Sequence, residues 1–115
     1  MTIIIIEDEV KTAKALGQLI LSIRPDVQIL SYIQSIDGAV SYLLENGQPD
    51  LIFMDIRLSD GLSFEIFKKT NIQSPVIFTT AYDEYALQAF KVYGAAYLLK
   101  PIEKDELQEA LNKVS

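Results

Sequence analysis

Cysteine and histidine are both absent from this chain. Without cysteine there is no disulfide and no thiolate metal site. Without histidine, Ser-His catalysis and imidazole metal ligation are excluded as well. A cytoplasmic location is therefore allowed. No apolar run approaches the roughly 20 residues that a membrane-spanning helix needs. The apolar start, Met1 to Ile6, is short, has no basic flank and runs straight into Glu7-Asp8-Glu9, so it does not read as a signal peptide. Basic residues are outnumbered, 10 against 16 acidic, and the net charge of −6 makes nonspecific affinity for nucleic acid poor. Any DNA contact would have to come from another part of the protein. What is present is 115 residues, half of them hydrophobic, which suits one domain with a core and excludes a disordered chain.

The stretch Asp50-Leu51-Ile52-Phe53-Met54-Asp55 organises the rest. Leu51 to Met54 is too short for a typical helix and shows no polar alternation, so it reads as a strand buried on both faces. It stops on a carboxylate, Asp55. Ahead of it, the β-branched run Ile3 to Ile6 is a first strand of the same kind, followed directly by Glu7, Asp8 and Glu9. Val10, Ala13, Leu16, Ile20 and Ile23 then recur as the stripe of a helix that Arg24-Pro25-Asp26 ends. Val27 to Tyr32 is a second strand, interrupted by Gln28 and Ser31 and so placed at a sheet edge. Ile36, Ala39, Val40, Leu43 and Leu44 mark a second helix, capped near Ser35 or Asp37 and closed by Asn46-Gly47.

Beyond Asp55, a loop from Ile56 to Asp60 leads through Gly61 to a third helix around Ser63 to Thr70, with Leu62, Phe64, Ile66 and Phe67 as its apolar residues. Val76 to Phe78 is the fourth strand, with Thr79 and Thr80 at its end. Ala86, Ala89, Phe90 and Tyr93 mark a fourth helix closed by Gly94. Ala96 to Leu99 is the fifth strand, ending at Lys100-Pro101, and Leu107, Ala110, Leu111 and Val114 form the last helix. Five strands alternating with five helices predict an α/β fold, a doubly wound parallel sheet with helices on both faces. Its expected strand order is 2-1-3-4-5, flavodoxin-like, with strands one and three flanking the switch point where ligands bind.

That order brings complementary chemistry to one rim. Glu7 and Asp8 follow the first strand and Asp55 ends the third. Thr80 follows the fourth and Lys100 the fifth. Three carboxylates side by side repel one another, so one or more is expected to take up a proton unless a cation joins them; Mg²⁺ is the natural cation, because it takes a few carboxylate oxygens together with water and phosphate oxygens. The set suits phosphoryl transfer onto Asp55 as nucleophile, with Lys100 countering charge and the Thr80 hydroxyl hydrogen-bonding a phosphoryl oxygen. Singly, each residue has an ordinary reading. Asp55 could merely end a strand, Asp8 could be the N-cap of the first helix, Glu7 a solvated loop acid and Thr80 a loop hydroxyl. Lys100 alone is uninformative.

Together, Glu7-Asp8-Glu9, Asp55, Thr80-Ala81 and Lys100-Pro101, each after its strand, resemble the receiver domain of two-component response regulators over essentially the whole chain. Phe78-Thr79-Thr80-Ala81-Tyr82-Asp83-Glu84-Tyr85-Ala86-Leu87-Gln88-Ala89-Phe90 is similar to regulators carrying a LytTR-type DNA-binding domain, the LytR/AlgR-like subfamily. The resemblance implies that Asp55 accepts a phosphoryl group from a phosphohistidine on a sensor histidine kinase. It implies Mg²⁺ held by the side chains of Asp8 and Asp55 and the backbone carbonyl of Arg57, with Glu7 acting through water. Thr80 and Tyr97 match the family's switch pair, Lys100 its characteristic ammonium, and Pro101 a position typically preceded by a cis bond. A cytoplasmic protein is implied, residues 1–115 being the receiver, with a DNA-binding effector domain beyond Ser115 and no membrane contact. Dimerisation on phosphorylation is expected through the face of the fourth helix, fifth strand and fifth helix, which carries Tyr85, Tyr93, Tyr97 and Ile102. Two departures stand out: the loop from Asp55 to Gly61 is shorter than in many receivers and has no Pro, and Glu7 replaces the commoner Asp.

Other classes fit less well. A phosphohydrolase with an aspartyl nucleophile usually carries a second Asp two residues on, where this chain has Arg57. A flavodoxin-like cofactor carrier needs a Ser/Thr/Gly-rich phosphate loop after strand one, and Glu7-Asp8-Glu9 is electrostatically wrong for it. A degenerate receiver that only binds partners keeps the fold but has no need of the acid set.

Overall fold

The computed structural model describes residues 1–82 and 94–114. In chain order the elements are β1 (Thr2–Ile6), α1 (Val10–Ile23), β2 (Gln28–Ile33), α2 (Ile36–Asn46), β3 (Leu51–Asp55), β4 (Arg57–Leu58), β5 (Gly61–Leu62), α3 (Phe64–Lys69), β6 (Val76–Thr80), β7 (Gly94–Leu99) and α4 (Lys104–Val114). Five strands form one parallel sheet in the order β2-β1-β3-β6-β7, which is the expected 2-1-3-4-5. The fourth helix expected around Ala86 to Tyr93 lies outside the described residues.

The continuous apolar strands have their physical reason in the two layers of helix. Successive side chains of a strand point to opposite faces. Ile4, Ile6, Ile52, Met54 and Phe78 therefore pack on one side with Ile36, Ala39 and Leu43 of α2 and with Phe64 and Ile66 of α3. Ile3, Ile5, Leu51, Phe53 and Ile77 pack on the other with Ala13, Leu16 and Ile20 of α1 and with Leu107, Ala110 and Leu111 of α4. Every residue from Ile3 to Ile6 and from Leu51 to Met54 is inaccessible to solvent. β2 has an open edge, and its pattern of exposed and half-buried positions agrees with the polar interruptions in its sequence.

Several boundaries differ from the expectation. β6 runs through Thr79 to Thr80, and both threonines are buried. β7 begins at Gly94, two residues earlier than expected, and the helix that this glycine was expected to close lies outside the described residues. Leu62 belongs to β5 and α3 spans only Phe64–Lys69, because β4 and β5 pair as a small antiparallel hairpin within the predicted loop. The N-cap of α1 is Glu9, not Asp8, and its side chain makes no capping bond. Ser35 caps α2 as expected, its hydroxyl accepting from the Gly38 N–H. Gly47 closes that helix with a positive φ of 78°, a region glycine enters without a Cβ penalty.

Candidate functional site

Strand register assembles the rim. Ile6 pairs with Met54, so Glu7 and Asp55 stand level at the carboxyl ends of adjacent strands. Asp55 pairs with Thr79, and Thr80 pairs with Leu99, which leaves Lys100 one residue beyond. Backbone bonds hold the strand ends together: the Glu7 N–H donates to the Ile33 carbonyl (2.8 Å), the Ile56 N–H to the Thr79 carbonyl (3.2 Å) and the Lys100 N–H to the Thr80 carbonyl (2.7 Å). The Lys100–Pro101 peptide bond is cis.

Lys100 is the centre of the charge arrangement. Its ammonium donates to Glu7 Oε1 and to Asp55 Oδ2, the latter at 3.0 Å. Glu7 and Asp55 are both buried, at 3% and 6% exposure, while Asp8 is half-buried. One carboxylate oxygen from each of Glu7, Asp8 and Asp55 lies within 4.8 Å of the other two. The Asp8 carboxyl is held above its usual range by a hydrogen bond with Glu7, by desolvation and by the Glu7 charge; Lys100 and the backbone only partly oppose this. For Lys100, burial by itself favours the neutral amine, but the hydrogen bonds and charges of Glu7 and Asp55 outweigh it and raise the group above its ordinary value. Three acidic groups face one ammonium, so a hard divalent cation suits the cluster: the donors are all oxygens and no soft ligand is present.

The remaining predicted residues fall into a second group beside the acids. Thr80 is fully buried, and its Oγ1 accepts from the Tyr82 N–H at 3.2 Å. The Tyr97 hydroxyl donates to the Tyr82 carbonyl. Arg57 is exposed on β4, with its guanidinium carbon 4.8 Å from the centroid of the Tyr82 ring. Tyr82 falls within the LytTR-like stretch, but nothing in the sequence marks it as a contact of Thr80, Tyr97 and Arg57. Asp60 ends the loop expected after Asp55. It accepts from the N–H groups of Ile36 (3.0 Å) and Asp37 (3.3 Å), which pins the β4–β5 turn to the start of α2. Those bonds, chiefly that from Ile36, hold its carboxyl below the usual range.

A doubly wound α/β domain with an acid cluster and a lysine at its switch-point rim carries its charged groups where open α/β sheets bind ligands. The particular family follows from comparison: the model of the response regulator receiver domain matches residues 3–112, and the chain belongs to that family, the receivers of two-component response regulators. It is 35% identical over 116 residues to the sensory transduction protein LytT of Bacillus anthracis, covering 98% of this chain and 46% of that one. It is 34% identical over 118 residues to the positive alginate biosynthesis regulatory protein of Pseudomonas aeruginosa, covering 100% of this chain and 47% of that one. Among solved structures, the response regulatory domain of protein mrkE from Klebsiella pneumoniae superposes with a TM-score of 0.87 at 26% identity, covering 99% of this chain and 94% of that one. The chain thus spans just under half the length of the curated relatives it matches. The relatives are regulators of the LytTR type. Among the described residues, no helix is long and apolar enough to cross a membrane.

Proposed function

We propose that this receiver is a phosphorylation-dependent switch in the cytoplasm, with Asp55 as phosphoacceptor. The observation that carries the reading is Lys100 bonded to both Glu7 and Asp55 at the rim where the three acids converge. An Asp55 carboxylate oxygen attacks the phosphorus of a phosphohistidine on a sensor histidine kinase. The P–N bond breaks, a P–O bond forms, and the imidazole leaves. Asp8, Asp55 and the Arg57 backbone carbonyl would hold Mg²⁺, with Glu7 acting through water. When bound, the ion supplies charge neutralisation for the phosphoryl oxygens. Lys100 supplies a fixed positive charge at the same place, and because it is half-buried that charge is screened less than on an open surface.

The Thr80 hydroxyl then turns to the phosphoryl group and the Tyr97 ring moves inward behind it. Output passes to a DNA-binding domain carried elsewhere in a longer regulator, of which residues 1–115 are the receiver. Two receivers pair through the face that includes β7 and α4. The chain is modified once per signal and does not turn over a substrate, unlike a phosphohydrolase, for which Arg57 occupies the position of the second acid.

Incubation with acetyl phosphate and Mg²⁺, followed by intact-mass measurement, is expected to show one added phosphoryl group, and none in Asp55→Ala. Modification that persists in Asp55→Ala, or no modification of the original chain, would overturn the assignment.

A further inference from the structure

Of the proposed Mg²⁺ ligands, only the Arg57 carbonyl belongs to the small hairpin. A hairpin with two residues in each strand does not hold its shape unaided. Just before it, the Ser63 N–H donates to the Ile56 carbonyl at 2.8 Å. Opposed residues of an antiparallel pair alternate between hydrogen-bonded and non-hydrogen-bonded. Arg57 opposite Leu62 is therefore a non-hydrogen-bonded pair, and the ladder leaves the Arg57 carbonyl available to a cation.

The hairpin is held from outside, at its turn. Ser59 and Asp60 lie between the paired residues Leu58 and Gly61. The Asp60 carboxylate accepts from the N–H groups of Ile36 (3.0 Å) and Asp37 (3.3 Å). A Cβ on Gly61 would stand 3.3 Å from Ile36 Cδ1, so the turn rests directly on the start of α2. Ile36 is itself buried in the core. Three residues ahead of it, the Ile33 carbonyl receives the Glu7 N–H. One short segment, Ile33 to Ile36, thus holds both the end of β1, which leads to Asp8, and the turn of the hairpin that carries Arg57.

We infer that Asp60 is a positioning residue for the metal site: its bonds to the start of α2 set where the Arg57 carbonyl stands relative to Asp8 and Asp55. This rests on the proposed Mg²⁺ ligands. Mg²⁺ demands near-octahedral geometry, so a displaced carbonyl costs affinity. Asp60 is exposed and can be changed without opening the core.

The test is titration of the 115-residue chain with MgCl₂ alone, followed by NMR through the amide signals of Asp8, Asp55 and Leu58, the last bonded directly to the Arg57 carbonyl carbon. Asp60→Ala is expected to raise the Mg²⁺ Kd about ten-fold, the lower end of what loss of a supporting contact costs a metal site, and to shrink the Leu58 shift at saturation. Asp60→Asn keeps one acceptor oxygen and should raise Kd by less; it decides the matter if Asp60→Ala does not fold. Two controls keep the Asp60 bonds. Asp37→Asn removes a charge from the adjoining stretch, and Ser35→Ala removes the other cap of the same helix. Both should stay close to the original Kd, which separates positioning from long-range charge and from loss of helix stability. An unchanged Kd in the Asp60 variants, or an equal rise in either control, would overturn the positioning role and leave the phosphoacceptor standing. No binding of Mg²⁺ by the original chain would overturn both.

Discussion

Lys100 shows how little a single residue says until its strand neighbours are in place. In sequence it is one lysine before a proline; in the fold it is the cation shared by Glu7 and Asp55, residues 93 and 45 positions away. Glu7, Asp8, Asp55 and Lys100 were legible as a set because each follows a strand whose apolar run is unmistakable. Arg57 and Tyr82 were not legible as a pair, since a cation over a ring depends on side-chain direction and not on spacing. Ser63 is a third case. Its hydroxyl is fully buried at the start of α3 and has no hydrogen-bond partner among the described residues. An unmet buried hydroxyl carries its desolvation cost without return, so Ser63→Ala is expected to stabilise the domain by about 1 kcal/mol. A urea midpoint that rises at unchanged m-value checks it; an unchanged or lower midpoint refutes it.

Among the elements, the helices with long apolar stripes and the buried strands were readable, whereas the hairpin after Asp55 was not. Arg57–Leu58 and Gly61–Leu62 are too short for any periodicity, and Gly61 takes a φ of 136° that only the closed turn reveals. The hairpin puts Asp60 at the N-terminus of α2, where it takes the first two helical N–H groups while Ser35 takes the third. That division leaves no early donor of α2 unmet and tethers the loop after β3 to the start of α2. The folded carboxyl is more acidic than an unfolded one. Its contribution is therefore present above the ordinary carboxylate value of about 3.9 and is lost as pH falls through the depressed folded value. Asp60→Asn is expected to lower stability at pH 7 and to flatten the acid limb of the pH–stability curve below about pH 4. Denaturation midpoints from pH 2 to pH 7 would show this, and an acid limb identical to the original would count against it. At the base of the sheet, Gln48 plays a comparable part: its side chain receives the N–H groups of Gln73 and Ser74 and donates to the Asn71 carbonyl, which steadies the loop into β6.

At the scale of the whole molecule, the proposed partner is a second copy. The face of β7 and α4 carries Tyr97, whose hydroxyl is engaged by Tyr82, and Ile102 just ahead of α4 packs against the core. Tyr85 and Tyr93, expected on the same face, lie outside the described residues. If phosphorylation pairs two receivers through this face, a dimer should appear only with a phosphoryl mimic bound; sedimentation velocity with and without beryllofluoride in MgCl₂ measures it, and an unchanged monomer would sink the idea. By itself the sequence determined the alternation of elements, the two-sided core and the identity of the rim acids, because local apolar periodicity is written into consecutive residues. Only the tertiary structure decided which groups share Lys100, that Tyr82 joins Thr80 to Tyr97 and lies under Arg57, and that Asp60 caps a distant helix. Those contacts depend on strand register and side-chain direction, which exist only once separate segments of the chain have been brought together.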